Sequence, residues 1–482
     1  MKRLLKNNII KFIFTKYLTF ALQMLNSILI AKKLSINLFG IYGFAILILQ
    51  YFSYSNLGLN YSYSVISSSI KKDANYNKND LISTSLNLQI IISLVLLIVF
   101  LIGSKLNLFN KYNFNDYFFI LIIITILQQI NILLVNIFRI ENKINGINFF
   151  YFITPFLQLI SIIFLKDIYL FYGLLYSNIL GCMIAIIFFH YESPIIIKNI
   201  KFLYFKNYRE ILTRGLYLLA YNFTFYGIML STRTIVGKYF SIEDFALFNF
   251  SNTISNSVFL LLGSINFLFY PKLIRMITDK NTEEIFLFID IIRRYYLTLT
   301  VLIVFISLFF LPLLFLYIPD YSNSIMCIQI LLLGQILLTN SFGFSTLLIQ
   351  RKKELSMTLI ALMAILIIIF TSFISFYLTK KIEIIATCML IGVLCYNFFI
   401  IKTGVKNLNL KPRFIFVLQI VFKLNLFIPV FLYLILSYFY TYYYINLSIT
   451  FLIYIIFNRK DLKKIVNLVL SIIKNEKNII SI

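Results

Sequence analysis

Apolar residues run through this chain in long blocks, and charged or turn-forming residues fall between them. Fourteen blocks can be marked, at 9–31, 38–59, 83–103, 117–138, 147–165, 168–190, 212–231, 246–270, 295–318, 324–349, 355–378, 383–402, 414–436 and 439–457. A helix needs about 20 apolar residues to cross about 30 Å of hydrocarbon, so each block predicts one membrane span. The fifth and sixth blocks abut, and the last two touch around Tyr438 to Tyr444. The longest hydrophilic stretches are 191–211 and 271–294, too short for an extramembrane domain.

Charge follows the same alternation. Of the 43 Lys and Arg residues, 32 fall in the N-terminal tail, every second connection and the C-terminal tail, while nine fall in the intervening connections. Lys11, Arg214 and Lys402, at block ends, are counted here with the adjoining tail or connections, and Lys16 and Lys423 lie deeper inside blocks. Positively charged connections stay in the cytoplasm, so both termini are expected there. The net charge of +25 is thereby absorbed by topology and gives no reason to expect a nucleic-acid partner. Lys2, Arg3 and Lys6 lead into a block of full spanning length with no small-residue cleavage site, so that block reads as the first span.

Over 482 residues the chain is 61% hydrophobic and 13% charged, with a mean hydropathy of +0.91. That excludes a soluble enzyme with a single anchor, because a soluble surface must be covered by polar groups. Heavy use of Ile, Asn, Lys, Phe and Tyr, with no Trp, is the signature of an AT-rich genome and accounts for part of the 18% aromatic content. The four cysteines, Cys182, Cys327, Cys388 and Cys395, lie in apolar blocks without a CxxC pair, and His190 is the sole histidine. Redox and zinc chemistry are therefore not expected, and no cofactor is implied.

An internal repeat occurs at an offset of 206. Residues 35–44, Ser-Ile-Asn-Leu-Phe-Gly-Ile-Tyr-Gly-Phe, align with 241–250, Ser-Ile-Glu-Asp-Phe-Ala-Leu-Phe-Asn-Phe, and Lys32 aligns with Lys238. Each copy lies between two blocks, the first and second or the seventh and eighth. Six spans are thus duplicated within the first twelve, with both halves in the same orientation.

The segment from Leu34 to Phe44, followed by Asn56-Leu57-Gly58-Leu59-Asn60, resembles the opening of the Wzx-like O-antigen and capsule flippases. These belong to the multidrug/oligosaccharidyl-lipid/polysaccharide exporter (MOP) superfamily. Similar to that family in the second half are Thr232 to Phe248, Tyr270-Pro271-Lys272-Leu273, and Ile318 to Ser324. The resemblance covers roughly residues 9–402. It implies an all-α polytopic membrane protein of about 14 transmembrane helices, with two related six-helix lobes around a central cavity plus two C-terminal helices. The lobes would be 1–190 and 212–402, joined by a basic cytoplasmic linker at 191–211, with two additional helices and a basic tail at 403–482. The two last helices depart from a twelve-helix core, although longer members of the superfamily, including the lipid II flippases, resemble fourteen-helix proteins. The implied activity is alternating-access translocation of an undecaprenyl-pyrophosphate-linked oligosaccharide across the bacterial cytoplasmic membrane for surface polysaccharide synthesis. The implied partners are that lipid-linked glycan, membrane lipids and other polysaccharide-assembly membrane proteins.

A pyrophosphate cargo needs cations inside the membrane, where ionisable groups are costly and default to functional candidates. Lys423 is expected about ten residues into the thirteenth span, roughly 15 Å deep. Lys16 lies about two turns into the first span, where it can snorkel. Arg214 opens the seventh span and Arg233 closes it; a guanidinium binds phosphate through a planar fork, and Arg233 falls in the segment resembling the family. Asn249, Asn252 and Asn256 recur on one face of the eighth span, Gly263 continues that face, and Gln50 sits at the repeat position of Asn256. These amides serve either a polar cavity face or helix-helix adhesion. The more polar fourth span carries Gln128, Gln129, Asn131 and Asn136. Along the C-terminal segment 460–474 basic and apolar positions alternate, which suits contact with an anionic leaflet.

Two alternatives stand beside the flippase. A membrane-embedded polysaccharide polymerase or lipid-linked glycosyltransferase would display catalytic groups on a sizeable outer loop, whereas these outer loops are short. A cation-coupled multidrug exporter of the same superfamily would use a buried carboxylate, and no Asp or Glu is expected well inside any span.

Overall fold

The computed structural model describes residues 8–60, 62, 63, 66, 78–103, 110–141, 143–193, 201, 204–206, 208–257, 259, 282–439 and 442–474. It is all-helical over these residues. In chain order the helices are α1 (Asn8–Lys33), α2 (Ile36–Phe52), α3 (Lys78–Gly103), α4 (Phe114–Ile140), α5 (Ile144–Phe164), α6 (Asp167–Glu192) and α7 (Tyr208–Tyr239). Next comes α8 (242–257). The remainder are α9 (Thr282–Tyr317), α10 (Ile325–Thr339), α11 (Phe344–Gln350), α12 (Glu354–Thr379), α13 (Ile382–Asn407), α14 (Phe414–Val421), α15 (Leu424–Phe439) and α16 (Tyr443–Lys474).

Among the described residues nine helical segments are long and apolar enough to cross a membrane, or ten if α14 and α15, bent by 66°, form one broken span. The sequence pattern predicts about fourteen. The difference lies in α1, α7, α8 and α16. Polar residues such as Lys16, Asn222 and Asn446 dilute the apolar runs of α1, α7 and α16, and α8 is described only in part. The Gly263 position and the Tyr270 to Leu273 segment lie outside the described residues.

Two expectations change at the helix boundaries. The ninth span was expected to start at 295, but α9 begins at Thr282 and is 36 residues long. Its buried positions Ile285, Ile289, Arg293, Tyr296 and Thr300 continue one helical face straight through charged sequence, because burial follows the 3.6-residue period rather than local hydropathy. The thirteenth span is not continuous, since it breaks at Phe422 and Lys423. The basic segment 460–474 belongs to α16, which runs as one helix from Tyr443 to Lys474.

The chain divides into two compact units, Met1–Phe250 and Ser251–Ile482. This division falls about forty residues beyond the linker, because α7 packs on α2 and α3 and so groups with the first-unit helices. Within the first unit, α5 packs against α6 and α1, and α4 against α6. Within the second, α13 packs against α12 and α10, and α16 against α15 and α9.

Lipid chains are as apolar as a leucine side chain, so helices in a membrane associate through close approach and interhelical hydrogen bonds. In the first unit, the Ser161 and Ser177 hydroxyls meet at 2.7 Å, Asn131 donates to the Cys182 carbonyl at 3.0 Å, and Asn26 donates to the Pro155 carbonyl at 2.8 Å. Gln129 donates to the Phe52 carbonyl at 3.0 Å and accepts from Gln89 at 2.6 Å. Much of the polarity of the fourth span therefore holds helices together.

What the structure describes of the inter-lobe stretch is fastened to α3. Asn87 donates to the carbonyls of Lys201 (2.9 Å) and Tyr204 (3.1 Å), and Thr84 donates to that of Lys206 (3.0 Å). Asp80 pairs with Lys201 at 2.9 Å, and this hydrogen bond raises the Lys201 amine above its ordinary range.

Small residues mark the closest helix approaches. A Cβ on Gly392 would overlap the Ile368 side chain and come within 3.0 Å of the Ala364 carbonyl oxygen, whereas one on Gly334 would meet neighbours at 3.4 Å or more. Overpacking costs about 1–3 kcal/mol, while alanine favours a helix over glycine by about 1 kcal/mol. Gly392→Ala is therefore expected to lower the thermal unfolding midpoint in detergent, and Gly334→Ala to leave it unchanged or raise it. Equal midpoints for the two variants would contradict this packing.

Candidate functional site

The repeat has a structural counterpart. Ser35 caps α2 by accepting from the Leu38 amide at 3.3 Å, and Ser241, its repeat partner, caps α8 by accepting from the Asp244 amide at 3.0 Å. The repeated helices cross each other within the first unit. Phe39 packs on Phe250 with ring centroids 6.3 Å apart, and Phe44 on Phe245 at 6.4 Å. The repeat offset carries Phe39 to Phe245 and Phe44 to Phe250, so the two contacts exchange under a local two-fold relation, as in an isologous interface. The crossing point is Gly43 against Asn249, themselves a repeat pair. A Cβ at Gly43 would lie 2.5 Å from Asn249 Nδ2, so the approach requires glycine.

Arg233 of α7 enters at this crossing and is 3% exposed. Its Nη1 donates to Gln50 Oε1 at 2.5 Å, and its Nη2 to Asn249 Oδ1 at 2.6 Å and the Gly43 carbonyl at 3.5 Å. Its Nε has no hydrogen-bond partner. Every acceptor here is neutral, and among the described residues no carboxylate pairs with Arg233. Three of the sequence candidates, Arg233, Asn249 and Gln50, thus meet in one place, arranged as a fork held by two amides and a carbonyl.

The second unit holds a different arrangement, at the break between α14 and α15. Lys423 Nζ lies 2.7 Å from Asp290 Oδ2, and Arg293 Nη2 lies 3.1 Å from Asp290 Oδ1. Arg293 also donates to Asn340 Oδ1 at 2.7 Å, and Asn340 in turn donates to the Val421 carbonyl at 2.8 Å, satisfying an acceptor that the broken helix leaves over. Lys423 is thus not set into a continuous span as expected; it sits at a helix break and is ion-paired. Asp290 lies on α9, five residues ahead of the apolar block 295–318, and its side chain is 27% exposed.

The other candidates lie apart. Lys16 is half-buried, its Nζ 2.8 Å from the Tyr151 ring centroid. Arg214 belongs to α7, and its side chain lies outside the described residues. Asn252 is buried. Asn256 accepts from Gln335 Nε2 at 2.7 Å, so the asparagine face divides between the Arg233 site and helix adhesion. Sequence reasoning missed Asp290, Arg293 and Asn340. The i, i+3 spacing of Asp290 and Arg293, in register with Ile285, Ile289 and Tyr296, was the available signal.

No protein-family model and no curated protein matches this chain. Solved structures do, at the level of fold. A lipid II flippase, MurJ, in an inward closed conformation is 14% identical with a TM-score of 0.63, over 95% of this chain and 100% of that one. An inward-facing multidrug resistance MATE family transporter of the MOP superfamily is 11% identical with a TM-score of 0.61, over 81% and 95%. A MOP superfamily transporter from Pyrococcus furiosus is 12% identical with a TM-score of 0.53, over 83% and 95%. The chain therefore shares its fold with these solved transporter structures.

Removing one member of a buried ion pair strands its partner, while removing both costs much less. Lys423→Met leaves Asp290 paired with Arg293 and is expected to cost only about 1 kcal/mol. Asp290→Asn strands the fully buried Arg293 together with Lys423 and is expected to cost about 3 kcal/mol, with Lys423→Met costing less again once Asp290 is gone. Denaturant unfolding of the two single variants and the double variant measures the coupling; strictly additive losses would show that the pair does not act as one unit.

Proposed function

We propose that this protein is a flippase moving an undecaprenyl-pyrophosphate-linked oligosaccharide across the bacterial cytoplasmic membrane by alternating access, as the Wzx-like resemblance implies. In this reading it crosses the membrane fourteen times as two six-helix lobes around a central cavity with two added helices. Both termini are cytoplasmic, and Arg233 stands near the outer face. The flippase title of the MurJ structure supports the substrate class, though not the particular glycan.

The observation that carries the reading is Arg233. A guanidinium out of water costs several kcal/mol unless well compensated, and among the described residues only neutral amide and carbonyl oxygens hold it. Those acceptors orient the fork without neutralising it. A phosphate oxygen offers a stronger, charge-assisted acceptor, so an anionic headgroup can replace the Gln50 and Asn249 contacts and release them as it passes on. Lys423 has no such role, because Asp290 already engages it.

The cation-coupled exporter gains one observation, Asp290 in α9. With Lys423 and Arg293 both bound to that carboxylate, it is a poor ligand for an added cation, and the flippase remains the better account. The polymerase reading finds no support in a fold shared with transporters.

Loss of the gene is expected to leave lipid-linked oligosaccharide accumulating on the inner leaflet while its synthesis continues. Complementation with Arg233→Gln should lower translocation about tenfold or more, the scale of a lost charge-assisted contact, at unchanged protein level, with Arg233→Lys intermediate. Wild-type translocation by Arg233→Gln would remove the anion-binding role. Single repeat units on the outer face without polymer would replace the flippase by a polymerase.

A further inference from the structure

Beside the break between α14 and α15 lies a cavity of about 320 Å³, lined by Arg294, Gln419, Lys423, Asn425, Asn458 and Asp461 together with Phe422, Leu424 and Leu426. Its charges do not balance. Lys423 and Arg293 share Asp290, and Arg294 pairs with Asp461 at 3.3 Å, so three cations face two carboxylates at this site. Arg459, Lys460, Lys463 and Lys464, all exposed beside it on α16, add to the positive field. The first turn of α15, from Leu424, also borders the cavity, and the first amides of a helix have no partner within it.

The surroundings are apolar on the other side. Leu424 is 66% exposed, and Phe414 and Ile415 of α14 are similarly exposed. At eight residues α14 is about 12 Å long, too short to cross, and it turns 66° away from α15. A short apolar helix followed by a basic cavity is the arrangement of a membrane interface. The volume lies near the lower end of the range for ligand pockets, about 300–1,000 Å³, which admits a phosphate-bearing headgroup but not an oligosaccharide.

We propose that this cavity binds the phosphate of an anionic phospholipid headgroup, with Arg294 as its cationic wall, the Asn425 side chain as a polar contact, and the acyl chains along the apolar side of α14. The site is separate from Arg233 and independent of which cargo the protein carries. An anionic lipid here would offset the excess charge and brace the helix break. Soluble phosphate shares the recognised chemistry.

The test uses the full-length protein purified in detergent. Its unfolding midpoint is followed while phosphatidylglycerol, phosphatidylcholine of the same acyl chains, or inorganic phosphate is added. Saturable stabilisation by phosphatidylglycerol and not by phosphatidylcholine is expected. Arg294→Gln should weaken it about fivefold, the worth of one basic side chain near an anionic surface. Gln419→Glu adds a negative charge at an exposed position and leaves every ion pair intact, and it should weaken binding similarly in a protein with an unaltered lipid-free midpoint. Stabilisation by inorganic phosphate alone, lost in both variants, would support the anion site with a soluble ligand in place of a lipid. Equal stabilisation by the two lipids, or undiminished phosphatidylglycerol binding in Gln419→Glu, would overturn the proposal.

Discussion

A polar group removed from water must find its partner within the protein, and in a chain this apolar that requirement decides most of the local structure. Where a helix is continuous, the backbone meets it unaided. Where a helix stops or breaks, side chains supply the missing partners. Asn340 reaches the Val421 carbonyl, Gln129 the Phe52 carbonyl and Tyr112 the Gly237 carbonyl, while Asn458 reaches the Asn425 carbonyl, to which Pro429 offers no amide hydrogen. Lys33 and Lys111 do the same at the ends of α5 and α7, donating to the carbonyls of Ile163 at 3.3 Å and Gly237 at 3.2 Å. A lysine in that position also meets the negative end of the helix dipole. Several residues that stand out in the sequence as polar intrusions into apolar blocks are therefore the groups that allow those helices to end where they do.

The same requirement separates what was legible in the sequence from what was not. Span positions are readable because hydropathy is a local property of some twenty residues, and the nine or ten segments that meet the strict length and composition test all fall on predicted blocks. The repeat is readable because Ser35 and Ser241 perform the same capping task and Phe39, Phe44, Phe245 and Phe250 pack as exchanged pairs. The start of α9 was not readable from hydropathy. Asp290 and Arg293 lower the apolar average, yet they pair with each other and take further partners more than forty residues away, Lys423 for Asp290 and the Asn340 amide for Arg293, which no window can see. The break in the thirteenth block was hidden for the complementary reason: α14 and α15 are both apolar, and only the polar atoms gathered from α9 and α10 reveal where the backbone between them departs from a helix.

Lys423 and Arg233 looked alike in the sequence, each a cation in or beside a span. Their surroundings make them opposites. Lys423 lies against a carboxylate that also holds Arg293, so its charge is compensated inside its own unit and its first consequence is structural. Arg233 is more deeply buried and, among the described residues, is met only by dipoles. Dipoles fix the orientation of a guanidinium but leave its net charge in place, and a charge left in place is available to an incoming anion.

The position of Arg233 follows from how a duplicated segment can cross itself. Near a local two-fold axis, the same residue from both copies meets its own counterpart, and two large side chains cannot occupy one point. At this crossing Gly43 faces Asn249, so one copy has given up its side chain and the other has kept an amide. Symmetry is broken where the copies touch most closely. On the neighbouring helices it is broken again: the repeat position of Arg233 is Ser27, whose hydroxyl turns back to the Gln23 carbonyl of its own helix at 2.8 Å. Packing thus requires the copies to diverge at Gly43 and Asn249, and only one copy carries an arginine at the neighbouring position.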